Sequence, residues 1–430
     1  MTLTAPCRRT VLQMMAAGAF ALRRPLVAAP MDPVSARIQT DLERHASFGI
    51  KRSASPGDLA TAAWVAQRLR TAGYKVNVMD FEVPFVVERS CRLVSAGIAA
   101  DLYLQPPCIP TSPRGITARL TLVRTQADAA NAAGKIALVV LPFGRQAALG
   151  RGNTGIGAIV NAAAAAKAVG VVIVTTGPSG EAALLNAPEE PVLPLPVGIL
   201  APKKSAPFQQ AAADGTEATL ILDAEMTRRK SQNVIGRIER GNRWIAISTP
   251  RSGWFQCVGE RGTGTSVFLE LAAWTAKQFP KHSIHLMNTG GHEFYFTGSH
   301  KAMPLAPPPQ ATAVWAHVGA AVAVRDADET GRMLDTADPQ RSVMATPNLN
   351  AAVAEGFRGI PELERANPVR AEAGELSTFT DRGYSRCFAV LGVHRWFHTV
   401  EDTIERVDGR LVTPVLEAHM RIIERAVSDA

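Results

Sequence analysis

The sequence predicts an α/β protein, with a mostly parallel sheet sandwiched by helices and a smaller α/β or β-rich domain inserted into it. Three observations lead there. Short Val/Ile-rich runs alternate with amphipathic helical segments near both ends of the chain, as in a parallel sheet covered on both faces. A central stretch, from about 86 to 227, is rich in Ala, Pro and Val and nearly devoid of paired catalytic residue types. The 430 residues leave room for two or three domains, and 47% apolar with 20% charged residues is the balance of a globular chain with a real core.

Residues 1–29 read as an export signal. Arg8-Arg9-Thr10-Val11-Leu12 opens an apolar run to Leu22, and Val27-Ala28-Ala29 offers small residues for cleavage, a pattern similar to twin-arginine signals. Cys7, Val11 and the later Arg23-Arg24 depart from it, and a tail or anchor is the alternative. The mature chain would then be periplasmic or secreted. The four arginines of this segment account for half of the formal charge of +8. With no basic stripe elsewhere, nucleic acid is excluded as a partner. No other run reaches the ~18 apolar residues of a membrane span. Of five cysteines, Cys91 and Cys108 form a candidate disulfide in an oxidising compartment, with buried free thiols the equal alternative.

Residues 33–85 open the main domain. Ser55-Pro56-Gly57-Asp58 is a helix start, Leu59, Ala62, Ala63, Ala66 and Leu69 recur at helical spacing, and Gly73 ends the helix before an alternating strand at 74–78. Within 86–227, residues 134–140 and 171–174 read as buried strands, residues 162–170 as a small-residue helix, and 188–202 as a Pro-rich connection. From 228 to 430 the main domain resumes. Strands are expected at 233–238, 244–248, 284–287 and 313–316, with a glycine-rich loop from Gly259 to Gly264 leading into a helix through Val267, Phe268, Leu271 and Trp274.

Ligands in such sheets sit at the C-terminal ends of strands. Glu260 follows the 244–248 strand, Glu293 follows 284–287, and His398 lies near the C-terminus. Two carboxylates and one imidazole make a three-ligand zinc site with an open position for water. On residue types alone the triple is weak, because surface acids and core histidines are common.

The order of segments is what strengthens it. Gln232-Asn233-Val234, Thr249-Pro250-Arg251-Ser252, Glu260-Arg261-Gly262-Thr263-Gly264 with Leu269-Glu270-Leu271-Ala272, His292-Glu293 before Thr297-Gly298-Ser299, Trp315-Ala316-His317, and Phe397-His398 before Asp402 follow one another. Together these six resemble metallopeptidase family 28, the zinc aminopeptidases and their glutaminyl-cyclase relatives, over residues 33–85 and 228–430. The resemblance implies the zinc-exopeptidase fold and a protease-associated-like domain at 86–227. It matches the bridging metal ligand to Glu260, another ligand to Glu293 and the late histidine to His398.

Departures from the family bear on the chemistry. The private ligands of one metal fall on Thr249 and on Ala316, or on His317 with a one-residue shift, which implies one zinc rather than two. Arg251 and Arg261 replace an Asp and an Asn of the family; either could balance Glu260 or hold an oxyanion, and Arg395 could also hold an oxyanion. His292 stands where the family has its general base. It is expected to act as the base, with a fourth-ligand role and simple packing as alternatives. Trp254, Phe255, Phe294, Tyr295, Phe296, Trp396 and Phe397 form either an apolar pocket or ordinary core. The expected activity is metal-dependent hydrolysis of a small peptide, amide or ester. The competing readings are a non-catalytic binding protein and an acyl transferase of the glutaminyl-cyclase type.

Overall fold

The computed structural model describes residues 31–145, 147–149, 155–191, 193–369 and 374–430, so the expected export signal lies outside the described residues. Two helices come first, α1 (Pro33–Ser47) and α2 (Pro56–Thr71). Each is started by a side-chain cap and a proline in the first turn. Asp32 accepts from the amides of Val34 and Ser35, and Ser55 from that of Asp58.

Two strands are far longer than expected. β1 runs over Lys75–Ser95 and pairs antiparallel along its length with a strand at Glu217–Ile238. The expected strands at 74–78 and 233–238 are therefore the outer ends of one two-stranded arm, which crosses positions 86 and 227 without a break. Between its strands come β2 (Ile98–Asp101), β3 (Tyr103–Leu104), β4 (Ile116–Val123), β5 (Ile136–Val140), β6 (Gly170–Val174) and β7 (Val197–Leu200), so the long partner is β8. Helices α3 (Gly155–Ala165) and α4 (Ala206–Ala213) cover this region. β4, β5, β6 and β7 are mutually parallel.

The second half adds β9 (Trp244–Pro250), α5 (Thr263–Gln278), β10 (Ser283–Thr289), α6 (Thr297–Ala302) and β11 (Thr312–Val318). A small hairpin, β12 (Arg325–Ala327) with β13 (Met333–Ala337), precedes β14 (Arg341–Ala345) and α7 (Asn350–Gly356). β15 (Asn367–Pro368), α8 (Ser377–Thr380), β16 (Cys387–Gly392) and α9 (Gly409–Ser428) close the fold. Strand order is β15-β14-β16-β11-β9-β10-β8-β4-β5-β6-β7-β3, with β10, β9, β11 and β16 mutually parallel. The α/β expectation holds.

Alternation along the parallel strands builds two cores. Ile245, Ile247, Val314, Ala316, Phe388 and Val390 face α1, α2, α5 and α9, while Ala246, Trp315, Cys387 and Ala389 face α6 and α8. A third core fills the 98–215 region and includes Trp254, Phe255, Cys257 and Phe294 from the second half. Cys91, Cys108, Cys257 and Cys387 are free thiols. Among the described residues, no helix is long and apolar enough to cross a membrane.

Candidate metal centre

The loops after β9, β10 and β16 converge where α5 begins, at the C-terminal ends of the parallel strands. The expected glycine-rich loop is already helical: a wide turn, Val258–Gly262, runs straight into α5. The Asp402 carboxylate starts this turn by accepting from the amides of Gly259 (2.6 Å) and Glu260 (2.9 Å). Gly259 permits that contact, because a Cβ there would lie 2.7 Å from Asp402 Oδ1.

Glu260, at the centre of this turn, is wholly buried. Its Oε1 is 2.7 Å from a guanidinium nitrogen of Arg261 and 3.2 Å from His398 Nε2. Burial alone would raise the Glu260 carboxyl, but Arg261 and then His398 hold it well below the usual carboxylate range. His398 Nδ1 lies 2.7 Å from the carbonyl oxygen of Leu184, which can only accept, so Nδ1 carries a proton and Nε2 faces Glu260. Nε2 and Glu260 Oε1 thus converge to 3.2 Å, where a shared cation would bind both.

Glu293 is also fully buried. Its Oε2 accepts from Ser53 Oγ (2.8 Å) and Ser252 Oγ (2.7 Å), while Oε1 has no hydrogen-bond partner. Burial raises this carboxyl, partly offset by its own amide, Ser252, Arg261 and Ser53. Both Glu260 oxygens and His398 Nε2 likewise lack hydrogen-bond partners. Buried polar groups left without partners are costly, so these four atoms fit a divalent cation with a carboxylate-rich donor set. The imidazole tied to a main-chain carbonyl is the usual outer support of a metal-binding histidine. The fit is not yet a closed shell. Among the described residues, the one acid, thiol or imidazole trio with donor atoms all within 4.8 Å of one another is Cys257, Glu260 and Asp402. Glu260, Glu293 and His398 are not gathered that tightly. Cys257 is a poor donor, since burial and then Glu260 and Asp402 push its thiol well above the ordinary value.

His292 lies beside this group with a side chain 11% exposed. Its Nδ1 is 2.9 Å from Glu375 Oε2, and Glu375 Oε1 accepts from Thr289 Oγ1 at 3.0 Å. Burial would raise Glu375, yet its bond to His292 brings the carboxyl down to about 2, so it stays ionised and Nδ1 is the donor. The His292 lone pair is then on Nε2. Burial and Arg261 lower the imidazole, and Glu375 partly restores it. His317 Nε2 stands 4.0 Å from Glu375 Oε2 while Nδ1 meets Ser248 Oγ at 2.8 Å, and burial lowers the imidazole to about 4. His317 thus joins the Glu375 group rather than Glu260.

The arginines separate. Arg261 is brought onto Glu260 and donates Nε to the Ser252 carbonyl (2.7 Å). Arg251, fully buried, is paired with Asp58 (2.8 Å) and the carbonyls of Asn288 and Gln232. Its donors are spent on the fold, and the structure does not bring it to Glu260. Arg395 bonds the carbonyls of Ala327 and Asp328. Of the aromatic residues, Trp254, Phe255, Phe294, Trp396 and Phe397 are buried, while Tyr295 and Phe296 are partly exposed next to His292. Thr249 and Ala316 themselves carry neither a carboxylate nor an imidazole.

Backbone strain concentrates here. Nine described non-glycine residues have positive φ, and Ala54, Cys257, Tyr295, Phe296, Ala321 and His398 all lie in loops around this group. Each such conformation costs of order 1–3 kcal/mol and persists only where surrounding contacts enforce it. Glu375 and Ser53 escaped sequence reasoning, since each is an isolated polar residue with no motif about it, and Asp58 was read only as part of a helix start. Only the fold brings them in.

No protein-family model matches the chain. Aminopeptidases from two Pseudomonas aeruginosa strains are each 25% identical over 280 residues, 60% of this chain. The match covers 51% of those proteins, so the chain spans about half the length of the curated relatives it matches. The structure superposes on a zinc aminopeptidase from Bacillus subtilis with a TM-score of 0.69 at 19% identity, covering 92% of this chain and 96% of that one. The chain has the zinc-aminopeptidase fold. A peptidase M28 precursor from Shewanella amazonensis gives a TM-score of 0.70 at 16% identity over 92% and 93% of the two chains. An aminopeptidase from an Aneurinibacillus strain gives 0.64 at 18% over 91% and 93%.

Proposed function

We propose that this chain is an exported, zinc-dependent hydrolase of peptide- or amide-type bonds that works with a single ion. The carrying observation is His398, tied through Nδ1 to Leu184 and presenting Nε2 to Glu260, whose carboxylate is ion-paired with Arg261 but accepts no hydrogen bond. Glu260 and His398 would hold the ion, with Oε1 of Glu293 as third donor. When bound, zinc supplies a Lewis acid that polarises a carbonyl and acidifies water.

The remaining chemistry belongs to side chains. His292 receives a proton at Nε2, and Glu375 keeps its other nitrogen protonated and its ring oriented. Arg261 supplies the second positive charge at Glu260. One ion also suits the buried charges. Arg261, Arg251 and Lys51 already accompany Glu260, Asp58 and Asp402, and Lys51, which burial lowers to about 8, is still mainly a cation at neutral pH. With the second metal's ligand positions taken by Thr249 and Ala316, the usual anchor for a free α-amino group is missing. Small amides or esters therefore join aminoacyl peptides as candidate substrates. The 86–227 region is read as protease-associated-like.

Elemental analysis of the purified mature chain tests this reading. About one zinc per chain, lost in His398→Ala and Glu293→Gln, is the expected result; about two would return the protein to ordinary dimetal aminopeptidase chemistry. A second reading, a non-catalytic binding protein, draws on the complete burial of Glu260 and Glu293. It takes over if no zinc binds even when supplied.

A further inference from the structure

The wall of the proposed metal centre is built by the 98–215 region, through a strap of residues 182–189. Its Leu184 is bonded to His398 twice: the Leu184 amide donates to the His398 carbonyl (3.1 Å), and its carbonyl accepts from His398 Nδ1 (2.7 Å). Three residues on, the Ala187 amide donates to the Glu293 carbonyl (3.0 Å). Glu189 then accepts from Thr297 Oγ1 (2.7 Å) and pairs with Arg228 (2.6 Å). Two of the three proposed ligands are thus in direct main-chain contact with one short segment.

That segment also belongs to the other side. Gln105 brackets Leu185, accepting from its amide (2.9 Å) and donating to its carbonyl (2.7 Å), and Thr175 Oγ1 accepts from the Ala183 amide (2.9 Å). Ala182, Leu184, Leu185 and Ala187 expose nothing, and neither do Glu260 and Glu293, while His398 is 1% exposed. Beside the strap lies a small crevice whose lining includes Ala183 and Phe397, the chain neighbours of Leu184 and His398. In this arrangement a substrate cannot touch the ligands. Trp254, Phe255 and Phe294 anchor the 98–215 core onto the site loops, so moving the whole region would expose a large apolar surface. The strap contributes only Ala182, Leu184, Leu185 and Ala187 to that core, so lifting it alone exposes far less apolar surface than moving the whole region.

We infer that the 182–189 strap is the gate of the centre, and that Leu184, as a positioning residue, fixes the His398 imidazole for metal only while the gate is closed. Lifting the strap admits substrate and releases His398 in one event. The inference rests on the metal reading above.

The test uses full-length mature protein loaded with zinc, comparing wild type, Thr297→Val, Glu189→Gln and the hydroxyl-retaining Thr297→Ser. Two rates are read: zinc release to an excess of chelator, and hydrogen exchange at the Leu184 and Ala187 amides. Loss of the Thr297–Glu189 bond should speed both by about tenfold in Thr297→Val, with Thr297→Ser and Glu189→Gln, whose amide oxygen still accepts, both close to wild type. Faster amide exchange with unchanged zinc release overturns the gate and leaves the metal reading standing. A wild-type chain that takes up no zinc overturns both.

Discussion

Replacing Arg261 by Met probes the charge logic of the centre most directly. The Glu260–Arg261 pair is 2.7 Å long and neither side chain exposes any surface. Removing one partner of a fully buried pair leaves the other uncompensated, at a cost of about 3–5 kcal/mol. Loss of the Arg261 bond to the Ser252 carbonyl is included in that figure. Met fills similar volume, so a cavity adds little. In zinc-free protein, urea unfolding should show the full loss. Zinc at 100 times the wild-type dissociation constant stabilises the wild-type native state by about 2.7 kcal/mol, and at that same concentration the benefit should be larger in Arg261→Met, where an unpaired carboxylate awaits the cation. Zinc should therefore narrow the gap between the two chains. A zinc-free loss under about 1 kcal/mol, or equal stabilisation of both chains by zinc, would refute the argument that Arg261 stands in for a second metal.

Two further outcomes follow from other parts of the structure. Glu375→Gln should lower kcat by about 10- to 100-fold with KM and zinc content unchanged, because an oriented base contributes at most ~10²–10⁴-fold and the amide keeps the shape; a rise in KM alone would make Glu375 part of the binding surface instead. His419, buried in α9 with Nδ1 on the Val415 carbonyl, is lowered by burial to about 4. The unfolded chain binds that proton first, near 6.5, so wild-type stability is retained above this value and falls as pH drops toward 4, by up to about 1.4 kcal/mol per unit. His419→Leu should flatten the slope by that amount in urea titrations between pH 4 and 7, and unchanged slopes would deny that His419 is buried neutral.

How far residues alone lead is clear from particular elements. β9, β10 and β11 were legible because a strand covered on both faces must be apolar throughout, and such runs stand out. The arm of β1 and β8 was not, since its middle faces solvent in part and carries Glu82, Arg228, Arg229 and Lys230, which break the apolar pattern. Trp254, Phe255 and Phe294 read as either pocket or core along the chain and prove to be core, a difference that depends on what packs over them.

Local chemistry, which is written along the chain, determined the class of the fold and the strand-end positions of Glu260, Glu293 and His398. Tertiary structure alone decided the pairings: Arg261 with Glu260 but Arg251 with Asp58, His292 with Glu375, and Leu184 over His398. The physical reason is range. Periodicity and capping act over a few residues, whereas a hydrogen bond or ion pair between distant segments exists only after the sheet has brought strand ends together.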